Sequence, residues 1–337
     1  MPVDAAQLAR YRAQAPELLA TVDLALGIMK KDRPVGQCGQ LCEGLCAIQN
    51  KYGADFLGDS CHFYPRIVHA IGGRRVMVGS TSCPEMLRLI LEEASPFLRE
   101  EVTLARMPGI RRDILPEGAT PAQVMAVMDE FMQLAADETR SPESILSQII
   151  DSICEGMEAG ASKPANAHAI YYALALTEAF TNAPRRERLD AVMQVMEERL
   201  GCAFSRDART LGFAPDAANK LAQLNLRWHK GAGVTLAPML RRWMQAQLAM
   251  TAFPFGGLAD LSAFEHLGVL VQRFTTMRLA LMCHVSEDGT LDRATAMRVV
   301  QVLSRFMDHL ADAKLTRMIF RDLGWNTPAQ LRQLIRI

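Results

Sequence analysis

The placement of its cysteines constrains this chain more than any other feature. Of eight cysteines in 337 residues, Cys38, Cys42, Cys46, Cys61 and Cys83 fall between positions 38 and 83. An even spread would put about one there. A thiol cluster is a disulfide framework, a metal site, or a group of small buried hydrophobes. Compartment separates the first two. The opening stretch MPVDAAQLARYRAQAPELL interleaves charges from residue 4 onward and has no apolar core of secretory length, so the expected location is the cytoplasm. Reducing conditions there disfavour structural disulfides, which points the cluster toward zinc or an iron–sulfur centre. Glycines at positions 36, 39, 44, 53 and 58 argue for loops that wrap something.

Spacing narrows the metal chemistry. The pattern C-x3-C-x3-C-x14-C-x21-C lacks the paired C-x2-C knuckles of common structural zinc sites. It also departs from the C-x3-C-x2-C triad of radical S-adenosylmethionine enzymes, and no alternation of strands and helices supports their barrel. A dispersed set suits an iron–sulfur cluster, because thiolates can converge from a loop, a turn and a helix start. Cys83 precedes Pro84 and a helix expected over 85–101, where the helix dipole favours thiolate.

Most of the remaining chain reads as helix. Thr120-Pro121, Ser141-Pro142 and Thr327-Pro328 are N-cap plus first-turn proline pairs. Val124, Val127, Met128, Phe131 and Leu134 form one apolar stripe; Ile145, Ile149, Ile153 and Met157 form the next. Similar stripes cover 165–181, 186–200, 215–229, 234–251, 260–283 and 291–312. Cys154, Cys202 and Cys283 lie in such runs and are expected in the core. The exception is 67–78, where Gly72-Gly73 between two short β-prone runs suggests a hairpin. The fold class is therefore mainly α: a small irregular cysteine-rich metal-binding lobe with a β-hairpin, followed by a helical body. The expected division is 1–102 for the lobe, 103–119 as linker and 120–337 as helical domain.

Charge excludes some partners. With 37 basic and 37 acidic side chains the chain has no basic footprint for nucleic acid, and no apolar run nears the ~20 residues a membrane span requires. The Arg185-Arg186 and Arg241-Arg242 pairs read as solvated helix faces.

Several short motifs carry a resemblance. Leu45-Cys46-Ala47-Ile48-Gln49, Gly53, Cys61-His62-Phe63-Tyr64-Pro65-Arg66 and Ser82-Cys83-Pro84-Glu85 follow one another in the order LC-x-I, G, C-x-x-YPR, SCPE. This resembles the signature of the flagellin lysine-N-methylase family. Phe253-Pro254-Phe255-Gly256 is similar to that family's FPFG element, and Ser304-Arg305 with His309 to its S-R-x-x-x-H helix. The cysteine block is the specific part, and the likeness extends from about 38 to about 323. The family's usual opening segment, F-x-C-x-G-x-x-C-x-x-x-C-C, has no counterpart before Cys38.

The resemblance implies a cytoplasmic enzyme that transfers methyl groups from S-adenosylmethionine to flagellin lysines and carries a cysteine-bound iron–sulfur cluster. By motif matching the implied ligands are Cys38, Cys46, Cys61 and Cys83, with Cys42 in reserve. The residues alone show no methyl-transfer site: no E/D-x-G-x-G-x-G loop follows a strand, and Gly231-Ala232-Gly233 is too short. Lysine must lose its proton before it attacks, and a sulfonium donor favours aromatic faces and carboxylates. Tyr64 and Glu85 supply those types. Arg66 either binds the donor's carboxylate or anchors its loop, and Arg305 shares a helix face with His309, which acts as a base or as a structural group. Polar methyl transfer needs no electrons, so a cluster would organise the lobe or regulate it by redox state. A non-enzymatic metal or redox sensor is the competing reading.

Overall fold

The structure, a computed structural model, describes residues 3–30, 38–43, 45–94, 96–101, 103, 113–162, 166–180, 187–256, 261–309 and 313–336; the side chains of 187, 309, 313 and 314 lie outside that description. The chain divides into two compact units, 1–67 with 103–109 and 183–186, and 68–102 with 110–182 and 187–337.

The first unit has little regular structure, in keeping with its glycines. Its first helix, α1 (Ala5–Gln14), is N-capped by Asp4, whose carboxylate accepts from the Gln7 N–H at 2.8 Å. Two hairpins follow, β1 (Val22–Asp23) with β2 (Ile28–Met29) and β3 (Leu41–Cys42) with β4 (Leu45–Cys46), then short helices α2 (Ala47–Tyr52) and α3 (Asp59–Phe63). A small core of Val3, Tyr11, Leu18, Val22, Met29, Ile48 and Leu57 holds them, with Cys38, Cys46 and Cys61 packed at its edge. Tyr11 ties α1 to the later loop by donating its hydroxyl proton to the Phe56 carbonyl at 2.8 Å.

The expected hairpin is present as β5 (Arg66–Ile71) and β6 (Arg74–Gly79). Gly72 and Gly73 turn it at φ 57° and 81°, the left-handed pair that a two-residue turn requires. Asp113 caps that turn, accepting from the Gly72 N–H at 2.9 Å and the Gly73 N–H at 3.2 Å. Residues 104–112 of the expected linker lie outside the described residues; beyond them Asp113 makes a single parallel bridge with Ala70, and the Ile114 N–H bonds the Ala70 carbonyl at 2.9 Å.

Helices make the rest of the second unit. They are α4 (Pro84–Glu92), α5 (Pro121–Ala136), α6 (Pro142–Ile153), α7 (Ala167–Ala179) and α8 (Glu187–Leu200). After a hairpin of β7 (Cys202–Ser205) and β8 (Thr210–Phe213) come α9 (Ala217–Arg227), α10 (Gly233–Met250), α11 (Ala263–His284), α12 (Arg293–His309), α13 (Ala313–Leu323) and α14 (Pro328–Leu334). Capping chemistry starts several of them as the sequence implies. Thr120 and Gln123 form a reciprocal capping box on α5, and Ser141 and Thr327 cap α6 and α14. α11 is the central element, buried along most of its length and packed against α6, α7, α8, α12 and α13.

Three expectations change. α4 ends at Glu92, not 101, because Pro96 lacks a donor and excludes helical backbone before it. α6 ends at Ile153 and leaves Met157 45% exposed, since Gly156 takes φ 76° and breaks the stripe. Cys202 is core, as are Cys154 and Cys283, but it sits on strand β7. Leu87, Ile90 and Leu91 of α4 belong to the helical core of the second unit.

Candidate functional site

Within the first unit, three of the five clustered thiols converge. Cys38, Cys46 and Cys61 line a cavity of about 30 Å³ whose remaining wall is mostly apolar, with Tyr11, Met29, Ile48 and Leu57. The β3–β4 register selects among the cysteines. Cys46 pairs with Leu41 and Cys42 with Leu45, so Cys42 and Cys46 point to opposite faces of the hairpin. Cys46 reaches the cavity, whereas Cys42 is exposed. Burial pushes the Cys61 thiol up to about 11, and the proximity of Cys38 and Cys46 adds to the shift, since thiolates crowded together repel one another. Burial likewise raises Tyr11, with smaller contributions from Cys61 and Cys46.

Thiols are the donors that soft metals and iron–sulfur clusters select, so the donor type fits such a group. Ligation distance is another matter: among the described residues no group of three or more Cys, His, Asp or Glu is close enough to hold a metal ion. Cys83, expected as the fourth ligand, belongs to the second unit, where it occupies the N-cap position of α4 without a side-chain cap bond.

The second unit contains a buried polar network that the sequence reading did not anticipate. Its centre is Asp308 on α12, whose side chain is 4% exposed. Thr81 donates its hydroxyl proton to Asp308 Oδ2 at 2.6 Å, and the Ser80 hydroxyl approaches the same oxygen at 3.4 Å. Arg273 of α11 lies 3.7 Å from Asp308 Oδ1 and donates to Gln247 Oε1 at 2.7 Å and to the Met307 carbonyl at 2.8 Å. Gln247 of α10 donates to Thr81 Oγ1 at 3.2 Å. One turn on, the Met250 carbonyl bonds the buried His69 ring at 2.9 Å, and the Met250 sulfur accepts from the Thr81 N–H at 3.4 Å. Burial lowers the Arg273 pKa, and Asp308 opposes that shift. Each member satisfies another, which keeps two charges tolerable in an apolar surround.

This network joins segments that are far apart in the chain. Ser80-Thr81-Ser82 leads into Cys83-Pro84-Glu85; Gln247 and Met250 lead into Phe253-Pro254-Phe255-Gly256; Asp308 stands between Arg305 and His309. Ser304 is also explained: its hydroxyl accepts from the buried Trp243 indole N–H at 2.9 Å. Phe253 is buried, its ring edge-on to Phe131 at 5.1 Å.

The expected catalytic side chains fall in both units. Tyr64 is 45% exposed at the end of α3, and Arg66 is exposed and donates to the His62 carbonyl at 3.3 Å. Glu85 is exposed and forked by Arg88, with bonds of 2.7 and 3.0 Å that hold its carboxyl below the usual range. Arg305 is exposed on α12, and the side chain of His309 lies outside the described residues. A signal for the missed residues exists in the sequence. Arg273 interrupts the apolar run of α11, and Asp308 follows Ser304 by one turn on a face that is otherwise Val300 and Leu303.

No protein-family model, no curated protein and no solved structure matches this chain. Among the described residues no helix is long and apolar enough to cross a membrane.

Proposed function

We propose that the chain is an S-adenosylmethionine-dependent protein-lysine N-methyltransferase acting on flagellin, with a cysteine-bound iron–sulfur cluster in its first unit. The observation that carries this reading is the network around Asp308. It brings the segments that lead into SCPE and FPFG together with the S-R-x-x-x-H helix, three motifs the sequence resemblance rests on. A chain that merely stored metal would have no use for linking them. Cys38, Cys46 and Cys61 would hold the cluster in the first unit, and its chemistry would be to cross-link a loop, a strand and a helix start.

The chain's own residues limit the mechanism. Asp308 is neutralised by Arg273 and occupied by Thr81, so it positions the segments around it and does not accept the lysine proton. Glu85, engaged by Arg88, must leave that pair before it could act as a base. Desolvation of the incoming amine, whose pKa of ~10.4 falls on burial, then assists deprotonation, with His309 the base that the resemblance implies.

The pairing of Glu85 with Arg88 also favours a second reading, a non-catalytic metal or redox sensor that keeps the lobe. Anaerobic purification with absorption spectra and iron and sulfide assays, repeated on Cys61→Ala, separates the two when combined with a flagellin methylation assay read by mass spectrometry. Brown protein that loses iron in the variant and methylates flagellin lysines supports the enzyme. Iron without methylation supports the sensor, and colourless protein that ignores the donor overturns both.

A further inference from the structure

A cavity of about 300 Å³ in the second unit, the low end of the range for small-molecule sites, is separate from the network. It is formed by the turn after α4, the end of α5 and one face of α10. Its polar side is the Arg241-Arg242 pair. In sequence the pair reads as a solvated face, yet Arg241 is only 9% exposed. One nitrogen of each guanidinium is used: Arg241 Nη1 donates to the Arg140 carbonyl at 3.1 Å and Arg242 Nη1 to the Leu91 carbonyl at 2.8 Å. Among the described residues neither has a carboxylate within ion-pair distance. A buried guanidinium without a counter-charge is costly, and its remaining donors suit a planar acid.

Most of the remaining lining is apolar. Phe97 packs on the helical core, and Leu98 is 73% exposed, among the most exposed large hydrophobic side chains in the protein. Glu138 also lines the cavity, so two guanidiniums and one carboxylate leave one net positive charge.

We infer that this cavity binds a small amphipathic monocarboxylate, with the acid on Arg241 and Arg242 and the apolar body against Phe97 and Leu98. The inference does not depend on methyl transfer, since a sulfonium donor would meet like charge here. Isothermal calorimetry of the purified full chain with octanoate tests it, using octan-1-ol, acetate and inorganic phosphate as comparisons. Octanoate is expected to bind saturably and at least ~10-fold more tightly than each of the other three, matching the worth of one charge-assisted hydrogen-bond pair. Arg242→Met, which keeps the apolar stem, is expected to weaken octanoate by ~10-fold or more while leaving octanol unchanged. Leu98→Ser, at an exposed position where folding is indifferent, is expected to weaken octanoate and leave acetate unchanged. Equal binding of octanol and octanoate, phosphate binding as tight as octanoate, or undiminished octanoate binding by Arg242→Met would each overturn the assignment.

Discussion

Asp308→Ala puts the buried network to its most direct test. The carboxylate and Arg273 are 3.7 Å apart with side chains 4% and 11% exposed. At an effective dielectric constant of about 20 their attraction is about 4 kcal/mol. Removing the acid leaves Arg273 buried without its counter-charge, and losses of this kind run to ~3–5 kcal/mol. The Thr81 hydroxyl, which donates to Asp308 at 2.6 Å, loses its acceptor as well. Trp228, Trp243 and Trp325 are buried and all belong to the second unit, so tryptophan fluorescence during urea titration reports that unit selectively. With a slope of about 2–3 kcal/mol per molar urea, the midpoint should fall by roughly 1–2 M. Arg273→Met should also destabilise, by stranding the carboxylate. The double variant, however, should be more stable than the sum of the two losses predicts, because it strands neither charge. If Asp308→Ala costs less than ~1 kcal/mol, or if the two losses simply add, the network is not the buried anchor described above.

Three further outcomes are expected. Burial holds the His284 imidazole below its usual value, the Ala280 carbonyl opposes this, and Arg199 and Arg298 reinforce it. A depressed folded pKa means stability that is complete above the unfolded value of ~6.5 and lost as pH falls through the folded one, so urea midpoints should drop from about pH 7.5 to about pH 5. His284→Gln should flatten that drop. In metal-free protein, timed alkylation followed by peptide mass spectrometry should label exposed Cys42 before Cys61, whose thiol is held protonated, with buried Cys154, Cys202 and Cys283 last. Gly73→Ala should cost about 1 kcal/mol for its left-handed backbone alone, while Gly72→Ala should cost more in thermal unfolding, because its added methyl would stand 2.7 Å from Pro121.

The helical body was legible because its signals are local. Thr120, Ser141 and Thr327 announce helix starts through bonds made within one turn, and Gly72-Gly73 announces its own turn. What escaped depends on partners distant in the chain. β7 and β8 are only four residues each, too short for either to show a strand pattern before the two pair. Arg241 looks like a solvated charge in one dimension, yet it is buried and bonds the carbonyl of Arg140 in the turn between α5 and α6. The cysteine cluster was visible, but its membership was not. Hairpin register, a pairing property, turns Cys46 inward and Cys42 outward.

The same dependence on distant partners explains why two short motifs acquire weight in three dimensions. Ser304 and Asp308 are one helical turn apart and face different helices: Ser304 accepts from Trp243 of α10, and Asp308 meets Arg273 of α11. Gln247 then connects the two systems, one turn beyond Trp243 and bonded to both Arg273 and Thr81. A buried network of this kind tolerates few alternative arrangements, because any shift leaves a charge or hydroxyl unsatisfied. It therefore fixes α10, α11 and α12 against the segment that delivers Cys83 to the start of α4. Whatever chemistry that segment performs, the polar core beneath it sets its position.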